Sequence, residues 1–487
     1  MNYPGLVGNK LNPLTEKQVE RIHDSGLNIL QEVGIKADSE RYLQLLEKNG
    51  ANVDLKERRA RLPEGMVEKF VSMAPSTVTL YGREEENDLE LADRKAYFGT
   101  GGAAVNVLDL DARVRTRAST LEDQLKLAKL VEGLENVHFF QAPVVPTDVP
   151  EEEMSLNSFY ASLRGTKKNV QESVTVPEKV KDIVEMASLI AGGQKALLER
   201  PFISFVTSWM VSPLKLDIRT TEVLEEIAGY RIPVALSSAP VTGSTAPASL
   251  AGLLAQVHAE ELSGIVLSQI FQEGTPILYG PVPAAANMKN MAYLAGAPET
   301  GMMNAAAAQL ADYLNVPVYS DAGETDAKIP DTQAGIETAF NLLQVGLAGG
   351  NYIHHAAGMI ESMLGVSYEK FVIDNDVIGM VTRAMRGIEV DEDSLALDVI
   401  KEVGPGNDFL TQRHTIEKSR SEEIYSPRIL DRENRNTWQT EGARETRDRA
   451  KERAKTILDN AKENLIPEDI DEKIRERYEI HLPKSTN

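Results

Sequence analysis

Residues 201–283 decide the fold: PFISFVTSWMVSPLKLDIRTTEVLEEIAGYRIPVALSSAPVTGSTAPASLAGLLAQVHAEELSGIVLSQIFQEGTPILYGPVP. Three short apolar runs, 202–207, 233–237 and 276–280, predict strands. The stretches between them, 218–230 and 248–273, carry helical patterns. A strand, a helix and a second strand at this spacing form a crossover unit, which makes the strands parallel.

The alternation continues outward on both sides. Further strands are predicted near 96–100, 137–142, 169–174, 316–320 and 351–355. Helices are predicted near 119–133, 153–164, 177–191, 299–314, 331–349 and 373–387. Strand starts recur every roughly 30–45 residues, enough for a strand, a loop and a helix. About eight such units point to an α/β fold of the closed kind, a (β/α)8 TIM barrel over 96–390. An open doubly wound sheet is the structural alternative. Residues 99–106, GTGGAAVN, lack the G-x-G-x-x-G fingerprint of such sheets, and no phosphate-loop motif is present.

Residues 1–95 read as an N-terminal helical and hairpin extension. Thr15 suits an N-cap, with Gly34 as the stop. A short strand over 78–83 precedes the turn-rich EEENDLELADRK. Residues 391–487 read as a charged C-terminal helical arm. It is expected to pack against the barrel or a sister subunit through Ile429, Leu430, Trp438 and Ile457, and a homo-oligomer is the expected assembly.

Composition narrows the function. Of 487 residues, 42% are hydrophobic and 26% charged, an ordinary globular balance. A net charge of −22 argues against nonspecific nucleic-acid binding, which needs a basic surface. With no cysteine, disulfides, thiolate nucleophiles, cysteine-ligated zinc and iron–sulfur clusters are excluded. The opening MNYPGLVGNKLNPLTEKQ has no basic segment followed by an apolar one, and no apolar run reaches about 18 residues. The expectation is a cytoplasmic protein without a membrane partner.

In a TIM barrel, chemistry sits at the carboxyl ends of the strands. Those ends are YFGTGG (97–102), FFQAP (139–143), VQESV (170–174), TSWMVSP (207–213), SSAPVTGS (237–244), YGPVP (279–283), YSDAGETDAK (319–328) and YIHHAAG (352–358). Tyr97, Phe98, Trp209, Tyr279, Tyr319 and Tyr352 lie at or near them. Ring faces attract a cation, and a quaternary ammonium has no N–H to offer, so rings are a reasonable receptor for it. The other reading of each ring is core packing. Asp321, Glu324, Asp326 and Lys328 crowd one strand end, either as counter-charges in a site or as an ion-paired loop. His354 and His355 are adjacent, so in a regular strand at most one points into the barrel. That one either binds a substrate carboxylate or satisfies a core hydrogen bond. No H-E-x-x-H or related spacing supports a metal site, and none is expected.

SDAGETDAKIPDTQAGIETAFNLLQVGLAGGNYIHHAAGMIE, with the upstream YFGTGGAAVNVLDLD and YGPVPAAANM, resembles the trimethylamine methyltransferase superfamily. The likeness extends from the opening NPLTEKQVERIHDSGLNILQEVGI to roughly residue 390. It implies a barrel that binds a methylamine in its mouth while a separate corrinoid protein docks over it and its cob(I)alamin takes the methyl group. No tightly bound cofactor is implied on this chain. The founding enzymes carry pyrrolysine, and this chain is written in the ordinary twenty residues. It resembles the branch whose members demethylate quaternary amines: glycine betaine first, with proline betaine, carnitine and γ-butyrobetaine as alternatives.

On that resemblance, Tyr97, Trp209, Tyr279 and Tyr352 are expected to face the ammonium. Asp321 or Glu324 would balance its charge, and His354 or His355 would hold a substrate carboxylate. Trp209→Ala is then expected to weaken quaternary-amine binding more than fold stability. Other readings are a barrel lyase or aldolase with Lys328 as its amine, a betaine-binding module without chemistry, and a pyrrolysine-type trimethylamine enzyme.

Overall fold

The computed structural model describes residues 5–8, 10–421 and 423–485. Eight short parallel strands form its centre: β1 (Lys95–Phe98), β2 (Phe140–Gln141), β3 (Val170–Ser173), β4 (Ile203–Thr207), β5 (Val234–Ser238), β6 (Ile277–Pro281), β7 (Tyr319–Asp321) and β8 (Tyr352–His354). Strands β2 to β6 pair in chain order, and β7 pairs with β8, which pairs with β1. Two single parallel bridges complete the ring, Tyr279 to Val318 and Gly99 to Phe139. The barrel is therefore closed, and the open-sheet alternative falls.

Eight helices follow the strands: α1 (Leu121–Glu132), α2 (Glu151–Gly165), α3 (Pro177–Ala191), α4 (Ile218–Tyr230), α5 (Leu250–Phe271), α6 (Pro298–Leu314), α7 (Thr332–Ala348) and α8 (Tyr368–Arg386). Helix α8 starts earlier than the sequence pattern suggests, because Ser367 caps it by accepting from the Lys370 amide. Helix α5 is long and apolar enough to cross a membrane, yet it is buried along most of its length. It lies between the barrel and the N-terminal helices Glu16–Asn28 and Glu64–Val71. Burial on all sides explains why its apolar residues ring the helix instead of forming one stripe.

The hairpin Val78–Leu80/Leu89–Leu91 ends four residues before β1. Its Val78, Leu80, Leu89 and Leu91 pack with the inward side chains Tyr97, Phe139, Leu278, Tyr319 and Tyr352. It closes the amino end of the barrel, leaving the carboxyl end for chemistry. The carboxyl end carries a small sheet that the sequence does not announce, formed by Asn106–Leu108, Thr116–Ala118, Met359–Ile360 and Gly365–Ser367.

The arm returns to the barrel wall. Helix Thr446–Asn460 buries Ala450 and Ala454 in the cluster that holds Leu130, Phe371 and Ile378, with Ile457 against it. Ile429 is buried in the same cluster. Trp438 is not: its Nε1 donates to the Arg444 carbonyl within the arm at 3.2 Å.

The β1–β2 seam leaves no room for a side chain at Gly99, where a Cβ would stand 2.2 Å from the Phe139 ring. Gly99→Ala should overpack this seam and cost about 1–3 kcal/mol. The check is a lower urea midpoint with an unchanged slope.

Candidate active site

The site is built by the turns that follow β7 and β8. His355 has φ 57°, in the left-handed region that side-chain-bearing residues seldom adopt. This breaks the strand alternation and overturns the expectation that only one histidine can face inward. The His354 and His355 rings lie side by side, centroids 4.0 Å apart and inclined by 65°. Gly101 gives them space, since a Cβ there would be 2.9 Å from His355 Cδ2. Gly323, at φ 108°, lets the β7 turn press onto the β8 turn. A Cβ at that position would sit 2.6 Å from Ala356 Cα. The Gly323 carbonyl accepts from Thr338 Oγ1 at 2.8 Å and from the buried Lys370 Nζ at 3.3 Å.

Two carboxylates meet one imidazole nitrogen. His355 Nδ1 lies 2.8 Å from Asp321 Oδ1 and 2.5 Å from Glu324 Oε1. A single N–H serves one oxygen, and Glu324 Oε1 is left without a hydrogen bond. Glu324 Oε2 accepts from the Tyr293 hydroxyl at 2.9 Å. Burial alone would lower the His355 pKa, but Glu324 and Asp321 override it and hold it up at about 10. Burial and Asp321 raise Glu324. Burial, then the neighbouring His355, pushes His354 well below its ordinary value, so its ring is neutral.

Inside the barrel runs a column of rings. Phe139 stacks on Tyr352 at 3.6 Å, Tyr352 on Tyr319 at 5.5 Å, and Tyr319 on His354 at 3.9 Å. Gln141 Nε2 donates to the Tyr319 hydroxyl at 2.9 Å. Several buried atoms along this column lack a partner: the Tyr352 hydroxyl, both ring nitrogens of His354, and Asp321 Oδ2. Unsatisfied buried polar atoms each cost about 1–3 kcal/mol, so such a concentration marks a place prepared for a ligand. Asp321, His354 and His355 also offer one ligand atom each, all within 4.8 Å of one another, a grouping able to hold a metal ion.

The structure therefore brings together Asp321, Glu324, Tyr352, His354 and His355. It does not bring the other three expected rings to the mouth. Tyr97 packs against the hairpin at the amino end. Tyr279 faces helix α5, its hydroxyl 2.9 Å from His258 Nδ1. Trp209 also lies on α5, where a Cβ on Gly264 would be 2.3 Å from its ring. Strand alternation sends Tyr279 to the helical side, and Trp209 lies two residues beyond the end of β4. Phe98 likewise joins the helix-facing cluster. Lys328 is exposed and donates to the Asp326 carbonyl, which removes it as a buried amine for Schiff-base chemistry. Sequence reasoning missed Tyr293, which reaches Glu324 from the β6–α6 loop and carries no motif. It also passed over Gln141, whose place at a strand end was the available signal.

The model of the trimethylamine methyltransferase (MTTB) family matches residues 2–480. The chain belongs to the trimethylamine methyltransferase family. A glycine betaine methyltransferase of Desulfitobacterium hafniense (strain Y51) is 36% identical over 96% of both chains. The trimethylamine methyltransferase MttB of Desulfitobacterium hafniense (strain DSM 10664 / DCB-2) is 34% identical, over 96% of this chain and 92% of that one. Among solved structures, the monomethylamine methyltransferase of Methanosarcina barkeri aligns over 93% of this chain and 95% of that chain, at 13% identity and a TM-score of 0.47.

Placement changes what Trp209→Ala should do in this family member. Removing a fully buried ring from the α5 face should cost about 3–5 kcal/mol of stability. Ligand affinity of the folded fraction should stay unchanged, measured by calorimetric titration below the melting transition.

Proposed function

We propose that the barrel mouth binds a zwitterionic quaternary amine of the betaine type and presents one N-methyl group to a reduced corrinoid carried by a separate protein. One observation carries this reading: unpartnered buried donors and negatively charged acceptors share one site, with the uncharged Tyr352 hydroxyl deepest. The Tyr352 hydroxyl and, level with Asp321, the neutral His354 ring supply hydrogen-bond donors. Asp321 Oδ2 and Glu324 Oε1 supply acceptors with negative charge, and Glu324 lies three residues beyond the end of β7. A donor's carboxylate fits the first pair and its ammonium the second, with Tyr293 beside it.

This orientation points the N-methyl groups toward the mouth. There a reduced corrinoid docked at the mouth would supply the electron pair that forms the new bond to one methyl carbon. The C–N pair stays on nitrogen, which leaves as a neutral tertiary amine, dimethylglycine when the donor is glycine betaine. A quaternary nitrogen is already an adequate leaving group, so the protein's own part is to orient the donor and exclude water. Val105, Val211, Met288, Met291 and Leu364 are exposed in the connections that follow barrel strands. An apolar rim of this kind suits a docking protein. The 36% identity to a glycine betaine methyltransferase makes glycine betaine the first donor to test, with proline betaine, carnitine and γ-butyrobetaine next.

A panel of methylated amines, scored by methylation of added cob(I)alamin, checks the reaction. Betaines should respond and tertiary amines should not, and a response to tertiary amines alone would overturn the reading. Tyr352→Phe should weaken glycine betaine binding by about 1.5–3 kcal/mol, roughly 10- to 150-fold, the worth of a hydrogen bond to a charged group. It should leave tetramethylammonium binding unchanged, and Tyr97→Phe should alter neither.

A further inference from the structure

The strand-end segments that form the mouth contain a single lysine, Lys328, and no arginine.

 Lys328 is exposed and turned to the Asp326 carbonyl. Within these segments the cationic group beside the site is His355, which already faces two carboxylates. A further positive charge here would suit a betaine carboxylate.

The same residues can supply a place for it. We propose that Asp321, His354 and His355 bind one divalent transition-metal ion whose open coordination position takes the donor's carboxylate, so that Glu324 with Tyr293, in place of Asp321, faces the ammonium. The ligand atoms of Asp321, His354 and His355 lie within 4.8 Å of one another, and these side chains and Glu324 are at least nine-tenths buried. Ligands about 2.0–2.2 Å from an ion stand closer together than that, so the atoms would draw in on binding. A second observation points the same way. His354 has neither ring nitrogen partnered, and Asp321 Oδ2 and Glu324 Oε1 are also unpartnered. A neutral imidazole with a free nitrogen is a ready ligand. Imidazole and carboxylate donors suit zinc, iron or cobalt, and three protein ligands leave a position open for substrate oxygen.

Charge supports the assignment. A divalent ion balances Asp321 and Glu324, leaving His355 neutral as a ligand, and a zwitterionic donor adds no net charge. The buried assembly is then neutral, which a low-dielectric site favours. This inference deepens the betaine reading and rests on it for the carboxylate, but the metal site itself is tested without any methyl transfer.

The experiment uses the full chain, stripped with a chelator and titrated with Co²⁺ and Zn²⁺. His481→Ala serves as the background, because it removes an exposed grouping of Glu153, Glu479 and His481 that could bind a second ion. One equivalent of metal per chain is expected, with visible ligand-field absorption for Co²⁺. His354→Ala and Asp321→Asn should lose affinity by on the order of 100-fold or more. Substoichiometric binding, or equal binding by folded His354→Ala, would overturn the site. Should those variants not fold, the Co²⁺ spectrum of the parent protein decides. Glycine betaine should shift it and tetramethylammonium should not; a spectrum indifferent to glycine betaine overturns the carboxylate role. Failure of the cob(I)alamin assay would count against the methyl-transfer reading and leave the metal titration standing.

Discussion

Closure of eight short parallel strands into one ring is the constraint on which this molecule depends. Each strand is only two to five residues long, so little pairing is available per strand and the seams must fit tightly. At the β1–β2 seam, Gly99 meets the Phe139 ring with no space for a Cβ. Closure also brings the carboxyl ends of all strands to one mouth, as the TIM-barrel architecture requires. The turns after β7 and β8 then meet because their strands are registered, Asp321 against His354.

That meeting produces the unusual chemistry. Two carboxylates and two imidazoles in a buried space are costly unless charges are paired or a ligand completes them. The left-handed backbone of His355 is the local strain that makes the arrangement possible. Thr338 and Lys370 fix the Gly323 carbonyl from helices α7 and α8, so the outer wall of the barrel holds the turn in place. Unpartnered donors and negatively charged acceptors share this one buried space.

The rings tell a different story from the one composition suggests. Four tyrosines and a tryptophan near strand ends look like a cage for a cation. In the fold, Tyr97 seals the amino end, Trp209 and Tyr279 pack against α5, and Tyr352 sits within a stack whose faces are covered by Phe139 and Tyr319. In the proposed reading the ammonium is received instead by acidic groups with Tyr293 beside them.

Strand and helix periodicity, with loops of the right length, was enough in the sequence to determine a parallel α/β barrel, because a chain alternating in this way has few other means of burying both faces of its strands. The sequence also placed Asp321, Glu324, His354 and His355 at strand ends. What only the tertiary structure decided was direction. Which face of a strand looks inward depends on register around the ring, and a shift of one residue sends Tyr279 to the helices instead of the mouth. The positive φ at His355 turns two adjacent histidines to the same side. Tyr293 reaches Glu324 across 31 residues of chain, a contact that no local pattern encodes because it exists only once the barrel has closed.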